Sequence, residues 1–398
     1  MTVKMTRKQR DGLILVISIL FTDELLYSII IPIIPYFTEK LQMSPAMTGV
    51  LFSSYAVAAL ISTPFFGILA DRAGRRVSIL SGLAILFLAT VLFAFTHSYG
   101  LLVASRAIQG IGAGAAWAAS LALLADLFPA KMRGRAMGLA LTGISTGTLL
   151  GAPLGGFIFE FGGYQWPFLF VAGLAALNFI FVVLLVPGIQ TSANQQAGKA
   201  NMPALLKNRS VLFIVTVIFA VSTTLCLLDP ILPILFDGRF QLSSSGIGIL
   251  FGLMTFANAL VSPISGFLSD RFRPGIIMLT GLMGIAAALP VMAFSQTLSL
   301  ETGAMVLAGF GIGFALSPAM SHLGNVIGEG KEQSHGQAYA LSDMCFTAGM
   351  IMGPLIGGLM TNIWSITAVL CIFGIVIFFL VVGMFGMELS KKVKAQHQ

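Results

Sequence analysis

The chain has 398 residues, of which 57% are hydrophobic and only 9% are charged. Because an ordinary soluble domain carries about a quarter charged residues, this composition excludes a water-soluble globular protein. The net charge of +7 does not by itself indicate nucleic-acid binding, since most basic residues lie in short segments between long apolar stretches.

Apolar stretches of about 20 residues recur along the chain, and each can cross a hydrocarbon core of about 30 Å as a helix. The pattern predicts an all-α polytopic membrane protein with twelve transmembrane helices. The expected spans are 12–38, 46–70, 77–95, 99–126, 134–160, 166–187, 210–236, 244–268, 275–296, 301–327, 336–361 and 364–387. The first span is too long for a signal peptide and has no small-residue cleavage site, so we expect it to remain as helix one.

The distribution of lysine and arginine predicts the orientation in the membrane. With a cytoplasmic N-terminus, nineteen of the 22 basic residues fall on the cytoplasmic side, as the positive-inside rule requires. Lys40 and Arg239 fall on the outer side, which leaves Arg106 as the single basic residue inside a predicted span. We therefore expect both termini to be cytoplasmic.

The chain repeats itself. Residues 42–72 match residues 241–271, and the segment that starts at Gly134 matches the one that starts at Gly336. Parallel six-helix repeats form one large class of transporters, in which the solute site lies between the halves near the middle of the membrane. We expect an N-terminal six-helix bundle at 1–187, a polar cytoplasmic linker at 188–209 and a C-terminal six-helix bundle at 210–398.

A glycine- and arginine-rich motif lies between the second and third spans. It consists of Gly67, Asp71, Arg72, Gly74, Arg75 and Arg76 within the sequence GILADRAGRR. The glycines permit a tight cytoplasmic turn, and Asp71 can either sit at a helix N-terminus or pair with a neighbouring arginine, which would latch one conformational state. The alternative is a basic turn with an incidental acid. The motif resembles the loop signature of the major facilitator superfamily, which implies twelve helices in two pseudo-symmetric bundles.

Two further motifs narrow the class of transporter that the chain resembles. Arg106, followed by Gln109, resembles the helix-four arginine motif that is associated with proton coupling. A motif in the fifth span resembles the antiporter motif of the superfamily and comprises Gly147, Gly151, Pro153, Gly155 and Gly156. Small residues let helices approach closely and proline bends a span, so plain tight packing is the alternative explanation.

Five charged residues lie inside predicted spans, and we interpret them as the proton-coupling residues. They are Asp23, Glu24, Arg106, Asp229 and Asp343. Each buried charge costs about 2.5–3.5 kcal/mol, so it must face water, form a pair or take up a proton. Glu24 points about 100° away from Asp23 on an ideal helix and ranks lower, because it can snorkel to a surface. Snorkelling is also the alternative for Asp23, and structural ties between helices are the alternative for Arg106, Asp229 and Asp343.

The candidate substrate-binding residues combine carboxylates with aromatic and amide side chains. They are Asp23, Tyr27, Tyr55, Trp117, Asp229, Asn258, Asn325 and Phe346. Aromatic faces attract cations, although most aromatic residues in such a protein meet lipid or fill space. Asp229 precedes Pro230 and is followed by Pro233, a pattern typical of irregular helix that lines a cavity.

Within the superfamily, the chain resembles the drug:proton antiporters, and most closely the vesicular monoamine transporter branch and its bacterial relatives. The resemblance rests on Asp23 before ELLYSIIIPIIP, on Asp229 in DPILP, and on Asp343 before MGPLIGG. It implies amine recognition and proton coupling at those carboxylates. The branch has a lysine at the position of Tyr55 and an aspartate at that of Leu316. The compact loops indicate a bacterial inner-membrane protein.

These observations predict a secondary active transporter that exports lipophilic organic cations, such as monoamines, drugs and dyes, in exchange for protons by alternating access. The alternative is a proton-coupled symporter or facilitator of another small solute. The sequence shows no nucleophile–base pair, metal cluster or P-loop, so nothing in it indicates an enzyme. We expect a monomer in the lipid bilayer that binds a small organic cation and protons, with no cofactor, no metal and no nucleic acid.

Overall fold

The computed structural model describes residues 5–185, 206–328 and 334–396, and in these ranges the regular structure is helical. The helices are α1 (Arg7–Ser28), α2 (Ile34–Lys40), α3 (Pro45–Arg72), α4 (Arg75–Phe95), α5 (Tyr99–Leu127), α6 (Ala130–Ala140), α7 (Thr142–Gly162), α8 (Gln165–Leu185), α9 (Arg209–Phe240), α10 (Ser244–Arg271), α11 (Pro274–Phe294), α12 (Leu298–Gly328), α13 (Ser334–Ile363) and α14 (Ile366–Gln396). A short 3₁₀ turn, Ile31–Ile33, separates α1 from α2.

Twelve candidate membrane spans lie in the part of the chain that the structure describes, so the predicted number is confirmed. The first span combines α1, the 3₁₀ turn and α2, and the fifth combines most of α6 with α7. The segment at 186–205, which holds most of the predicted linker, lies outside the described residues.

The first helix begins at a capping box. Gln9 N–H donates to Thr6 Oγ1 at 3.3 Å, and Thr6 N–H donates to Gln9 Oε1 at 3.0 Å. These bonds satisfy two of the donors that a helix N-terminus leaves open. At the start of α9, Ser210 N–H similarly donates to Asn208 Oδ1 at 2.9 Å.

The prolines of the two halves act differently. Pro32 lies in the 3₁₀ turn that interrupts the first span, as a missing N–H and a fixed backbone angle favour. By contrast, α9 continues as α-helix through Pro230 and Pro233. The prediction of an irregular backbone beside Asp229 is therefore wrong. The neighbouring helices α12 and α13 pack on α9 and hold it together across its prolines.

The fifth span is broken at Leu141, between α6 and α7, where the sequence predicted one continuous helix. Gly138 and Gly143 flank the break, and glycine weakens a helix interior by about 1 kcal/mol relative to alanine. The interruption is local, because Leu141 keeps helical angles of φ −65° and ψ −15° and its N–H still donates to the Met137 carbonyl oxygen at 3.0 Å.

The chain folds into two compact units. The first comprises residues 1–43, 50–195 and 242–252, and the second comprises 44–49, 196–241 and 253–398. In the first unit α1 packs on α7 and α4 packs on α5 and α8; in the second unit α9 packs on α13 and α11 packs on α12 and α14. The same pairings recur because the sequences repeat. The bundle boundaries at 1–187 and 210–398 stay predictions.

Candidate functional site

Asp23 lies on α1, in the first unit, and its carboxylate is held by a phenol from a neighbouring helix. Tyr55 Oη on α3 donates a hydrogen bond to Asp23 Oδ1 at 2.6 Å. Both side chains are buried, since 9% of Asp23 and 4% of Tyr55 is exposed. A carboxylate that is shielded from water needs a strong hydrogen-bond donor, and the phenol of Tyr55 supplies one.

Arg106 on α5 is the largest fully buried side chain of the described residues, with 1% exposed. Its guanidinium carbon lies 4.8 Å from the ring centroid of Tyr55, 5.8 Å from that of Tyr27 and 5.7 Å from that of Phe52. Each desolvated cation–π contact contributes up to about 2 kcal/mol. Three ring faces thus offset part of the cost of burying this charge.

Arg106 is also tied to a chain of polar side chains that runs to α4. Arg106 Nη1 donates to Gln109 Oε1 at 3.1 Å, and Gln109 Nε2 donates to Thr90 Oγ1 at 3.2 Å. Two of its other donors, Nε and Nη2, have no hydrogen-bond partner within the described ranges. Unpaired buried donors cost about 1–3 kcal/mol each, so the guanidinium retains unused capacity to bind an oxygen atom.

Asp23 and Arg106 interact through charge but do not make an ion pair. They are within electrostatic reach of each other, yet among residues 5–185 no nitrogen of Arg106 lies within 4.0 Å of the Asp23 carboxylate. Tyr55 contacts both groups, with its hydroxyl on the carboxylate and its ring against the guanidinium. The carboxylate is therefore not neutralised by a direct partner in this part of the chain.

Glu24 faces a different helix from Asp23, as ideal helix geometry predicts. Thr148 Oγ1 on α7 donates to Glu24 Oε2 at 3.3 Å, and the Glu24 side chain is half-buried. The two adjacent carboxylates thus serve separate interfaces, Asp23 toward α3 and Glu24 toward α7.

The antiporter motif forms the interface between α7 and α1. An ideal Cβ would lie 2.6 Å from the Phe21 carbonyl oxygen if placed on Gly147, and 2.5 Å from Ser28 Cβ if placed on Gly151. Gly155 meets Ile29 in the same way, and Gly156 meets the backbone of Ser244. Pro153 lies within α7, which stays helical around it. Gly147, Gly151 and Gly155 bring α7 against the first span beside Asp23 and Glu24, whereas Gly156 faces the start of α10.

The second unit repeats this packing. Cβ atoms on Gly349 and Gly353 of α13 would collide with Ser222, Thr223 and Leu227 of α9. Because the same glycine spacing packs the same helix pair in both units, close packing accounts for the glycines in each. A role in antiport stays a prediction.

The motif at residues 67–76 forms an ion-pair cluster. Arg75 Nη1 lies 2.5 Å from Asp71 Oδ1, and Arg75 Nε lies 3.0 Å from Asp126 Oδ2. Arg76 Nη2 donates to the Val183 carbonyl oxygen at 3.0 Å. Of the two placements expected for Asp71, the pairing with an arginine is present, and Asp126 of α5, which the sequence reasoning missed, joins it. The placement at a helix N-terminus is wrong, because Asp71 lies in the last turn of α3.

The glycines of this motif differ in role. Gly74 adopts φ 97° at the start of α4, so the turn needs a residue that tolerates positive φ. Gly67 lies inside α3, where an added Cβ would meet nothing within 4 Å, so its expected role in the turn is wrong. Arg72 is exposed at the end of α3.

The remaining candidates belong mostly to the second unit. Asp229 on α9 is buried with 4% exposed, whereas Asp343 on α13 is exposed. Asn258 is half-buried and accepts from Ser262 Oγ at 3.3 Å, Phe346 is half-buried, and Asn325 is exposed. In the first unit, Trp117 packs against a buried apolar cluster around Leu123 and Phe128.

Phe52 and Thr90 complete the Arg106 surroundings, and the sequence reasoning missed both. Phe52 precedes Tyr55 by three residues, so helical spacing places the two rings on one face. Thr90 is a polar residue within the apolar run LAILFLATVLF. These two patterns were the available signals, but neither identifies Arg106 as the partner.

Comparisons with known proteins agree on the family. A sequence profile described as Major Facilitator Superfamily matches residues 16–228 and 212–397. The Chromaffin granule amine transporter of Rattus norvegicus is 29% identical over 337 residues, which is 84% of this chain and 64% of that protein. The Synaptic vesicular amine transporter of Homo sapiens is 28% identical over 333 residues, 82% of this chain and 64% of that protein. The chain thus spans less than two thirds of the length of these relatives.

A solved structure supports the architecture. The crystal structure of a bacterial homologue of the human lysosomal transporter Spinster has a TM-score of 0.77 at 16% identity, and the match covers 98% of each chain. A likeness at this identity shows the fold alone. The fold is the twelve-helix arrangement that the loop signature implied.

Proposed function

Since the chain belongs to the Major Facilitator Superfamily, a family of multi-pass membrane transporters, we propose that it exchanges an organic cation for protons. The relatives named above are amine transporters, which favours a monoamine or a similar lipophilic amine, drug or dye as the cation. Alternating access between the two repeats carries the solute in this proposal.

The observation that carries the proposal is the state of Asp23. Its carboxylate is buried beside aromatic rings and a permanent positive charge, but no ion pair within residues 5–185 neutralises it. Such a carboxylate binds either a proton or an ammonium group, because each removes the cost of an uncompensated buried charge. Binding of one excludes the other, which is the chemistry that exchange requires.

Arg106 and the aromatic rings supply the remaining chemistry at this site. The fixed positive charge nearby favours release of the proton from Asp23, and the rings offer faces to the incoming cation. Glu24, Asp229 and Asp343 are further proton-coupling residues in this proposal, and Tyr27, Trp117, Asn258, Asn325 and Phe346 further contacts for the cation.

The location is also part of the proposal. We place the protein in a bacterial cell membrane as a monomer, with both termini cytoplasmic, on the positive-inside distribution and the short loops. Residues 67–76 act there as a cytoplasmic latch, supported by the Arg75 pairs with Asp71 and Asp126.

Transport by reconstituted variants tests the role of Asp23. Purified protein in acid-inside proteoliposomes is given external ethidium, and its initial uptake is measured. We expect Asp23→Asn to lower pH-driven uptake by at least about tenfold, because an amide neither exchanges a proton nor attracts a cation; this factor equals about 1.4 kcal/mol.

Asp237→Asn is the matched control, because Asp237 is an exposed carboxylate near the end of α9. It should transport ethidium at the wild-type rate. Equal uptake by wild type and Asp23→Asn would refute the proposal, and an equal loss in both variants would remove its specific assignment to Asp23.

A further inference from the structure

Tyr55 contacts two opposite charges at once. Its hydroxyl donates to Asp23 Oδ1 at 2.6 Å, and its ring centroid lies 4.8 Å from the guanidinium carbon of Arg106. Opposite charges buried in a low dielectric attract strongly, so a direct pair between Asp23 and Arg106 would be the expected outcome without an intervening group.

Backbone packing fixes the position of Tyr55. An ideal Cβ on Gly110 of α5 would collide with the carbonyl oxygen of Tyr55 and would lie 3.1 Å from the backbone nitrogen of Ala59. Glycine at this position lets α3 and α5 touch at the level of Tyr55, one turn from Arg106. The ring is therefore held where it meets the guanidinium.

Arg106 is also restrained by a polar contact within α5 and by two further rings. Gln109 accepts from Arg106 Nη1 at 3.1 Å and is itself bonded to Thr90 at 3.2 Å. The rings of Tyr27 and Phe52 lie close to the guanidinium carbon, at 5.8 and 5.7 Å. The guanidinium is thus held by Gln109 and by aromatic rings without a direct contact to the Asp23 carboxylate.

We propose that Tyr55 is a positioning residue that keeps Arg106 apart from Asp23, so that the carboxylate remains available to a proton or a cation. A permanent ion pair with Arg106 would hold the carboxylate charged and occupied. The phenol instead gives it one neutral hydrogen bond, which is weaker than an ion pair and can be exchanged. This deepens the proposed function and rests on Asp23 as its exchange site.

The groups around Asp23 are few in the described part of the first unit. Glu24 and Tyr27 lie on its own helix, Tyr55 comes from α3, and Arg106 comes from α5. The helices α6, α7 and α8 also pack on α1. Arg133 and Arg135 of α6 precede Gly143, which lies against Ile17 rather than Asp23, while Thr148 of α7 donates to Glu24 and Asn178 of α8 donates to Thr22. Arg106 is thus the charge that Tyr55 has to hold away.

Infrared titration of the purified protein in detergent tests the inference without a transport assay. The protonated-carboxyl band that disappears in Asp23→Asn reports proton uptake by Asp23. In Tyr55→Phe the ring stays but the donated bond is lost, so the midpoint of this band should move about one pH unit higher. In Tyr55→Leu the ring is also lost and Arg106 reaches the carboxylate, so the midpoint should fall below that of wild type.

Tyr164→Phe is the matched control, because Tyr164 Oη donates a comparable buried bond, at 2.9 Å, to the Phe93 carbonyl oxygen. It should leave the Asp23 midpoint unchanged. Tyr55→Met replaces the leucine variant if that variant does not elute as a single species.

Opposite shifts in the phenylalanine and leucine variants support the inference. Shifts of the same sign and size, or no shift in either variant, overturn it. The proposed function fails separately, through absence of pH-driven ethidium uptake in wild type, and the titration can be read in either case.

Discussion

Arg106 remains protonated at any pH that a cell reaches, so its electrostatic effect on neighbouring groups is permanent. In the structure this charge rests on the rings of Tyr27, Phe52 and Tyr55 and on the amide of Gln109. A planar, delocalised cation suits stacked ring faces better than a compact ammonium does.

Substitution of Arg106 tests the need for that charge. Arg106→Gln should lower pH-driven ethidium uptake at least about tenfold, because release of the Asp23 proton loses its favourable neighbour. Arg106→Lys should retain more uptake than Arg106→Gln, since it keeps a cation over the rings. Initial rates in acid-inside proteoliposomes measure both, and wild-type uptake by Arg106→Gln would contradict this role.

At the residue scale, the sequence predicted which face of its own helix a side chain occupies, but not which residue of another helix it contacts. The spacing of Asp23 and Glu24 correctly placed them on different faces of one helix, because helix geometry is fixed by the backbone. The bond between Tyr55 and Asp23 joins residues 32 positions apart, and it depends on how α3 is rotated against α1. The partner Asp126 was missed for the same reason.

At the scale of elements, glycines set which helices touch. Gly151 on α7 lies against Ser28, and its repeat counterpart Gly353 on α13 lies against α9. Direct backbone approach strengthens van der Waals contact, which is the main attraction between helices in lipid.

Two alanine substitutions separate this packing from helix propensity. Gly151→Ala should destabilise the protein by about 1–3 kcal/mol, since the added Cβ would lie 2.5 Å from Ser28 Cβ. Gly173→Ala, in open space on α8, should be neutral or stabilising by up to about 1 kcal/mol. Thermal unfolding in detergent measures both, and equal midpoints for the two variants would contradict the packing account.

The helix breaks show where sequence patterns lose their predictive power. Proline interrupts the first span at 31–33, yet α9 runs through Pro230 and Pro233 without a break. The fifth span breaks at Leu141, although no proline lies there. Whether a weak point breaks depends on the neighbouring helices that pack on it, which local composition does not reveal.

For the whole molecule, composition and repetition predicted the architecture. The twelve spans and the division into related halves follow from apolar length and duplicated segments, whereas the family follows from the resemblance of residues 67–76 to a known loop signature. The transported solute does not follow in this way, because a binding site depends on contacts between helices, such as the one between Tyr55 and Asp23, that composition does not reveal.

Exchange of a cation for protons is the central claim, and the direction of the driving gradient tests it most directly. Wild-type proteoliposomes are given external ethidium under an acid-inside gradient and, separately, under an acid-outside gradient of equal size. Antiport predicts accumulation with the acid-inside gradient alone, since outward protons drive inward cations. Accumulation driven by the acid-outside gradient, or uptake that ignores both gradients, would contradict the account.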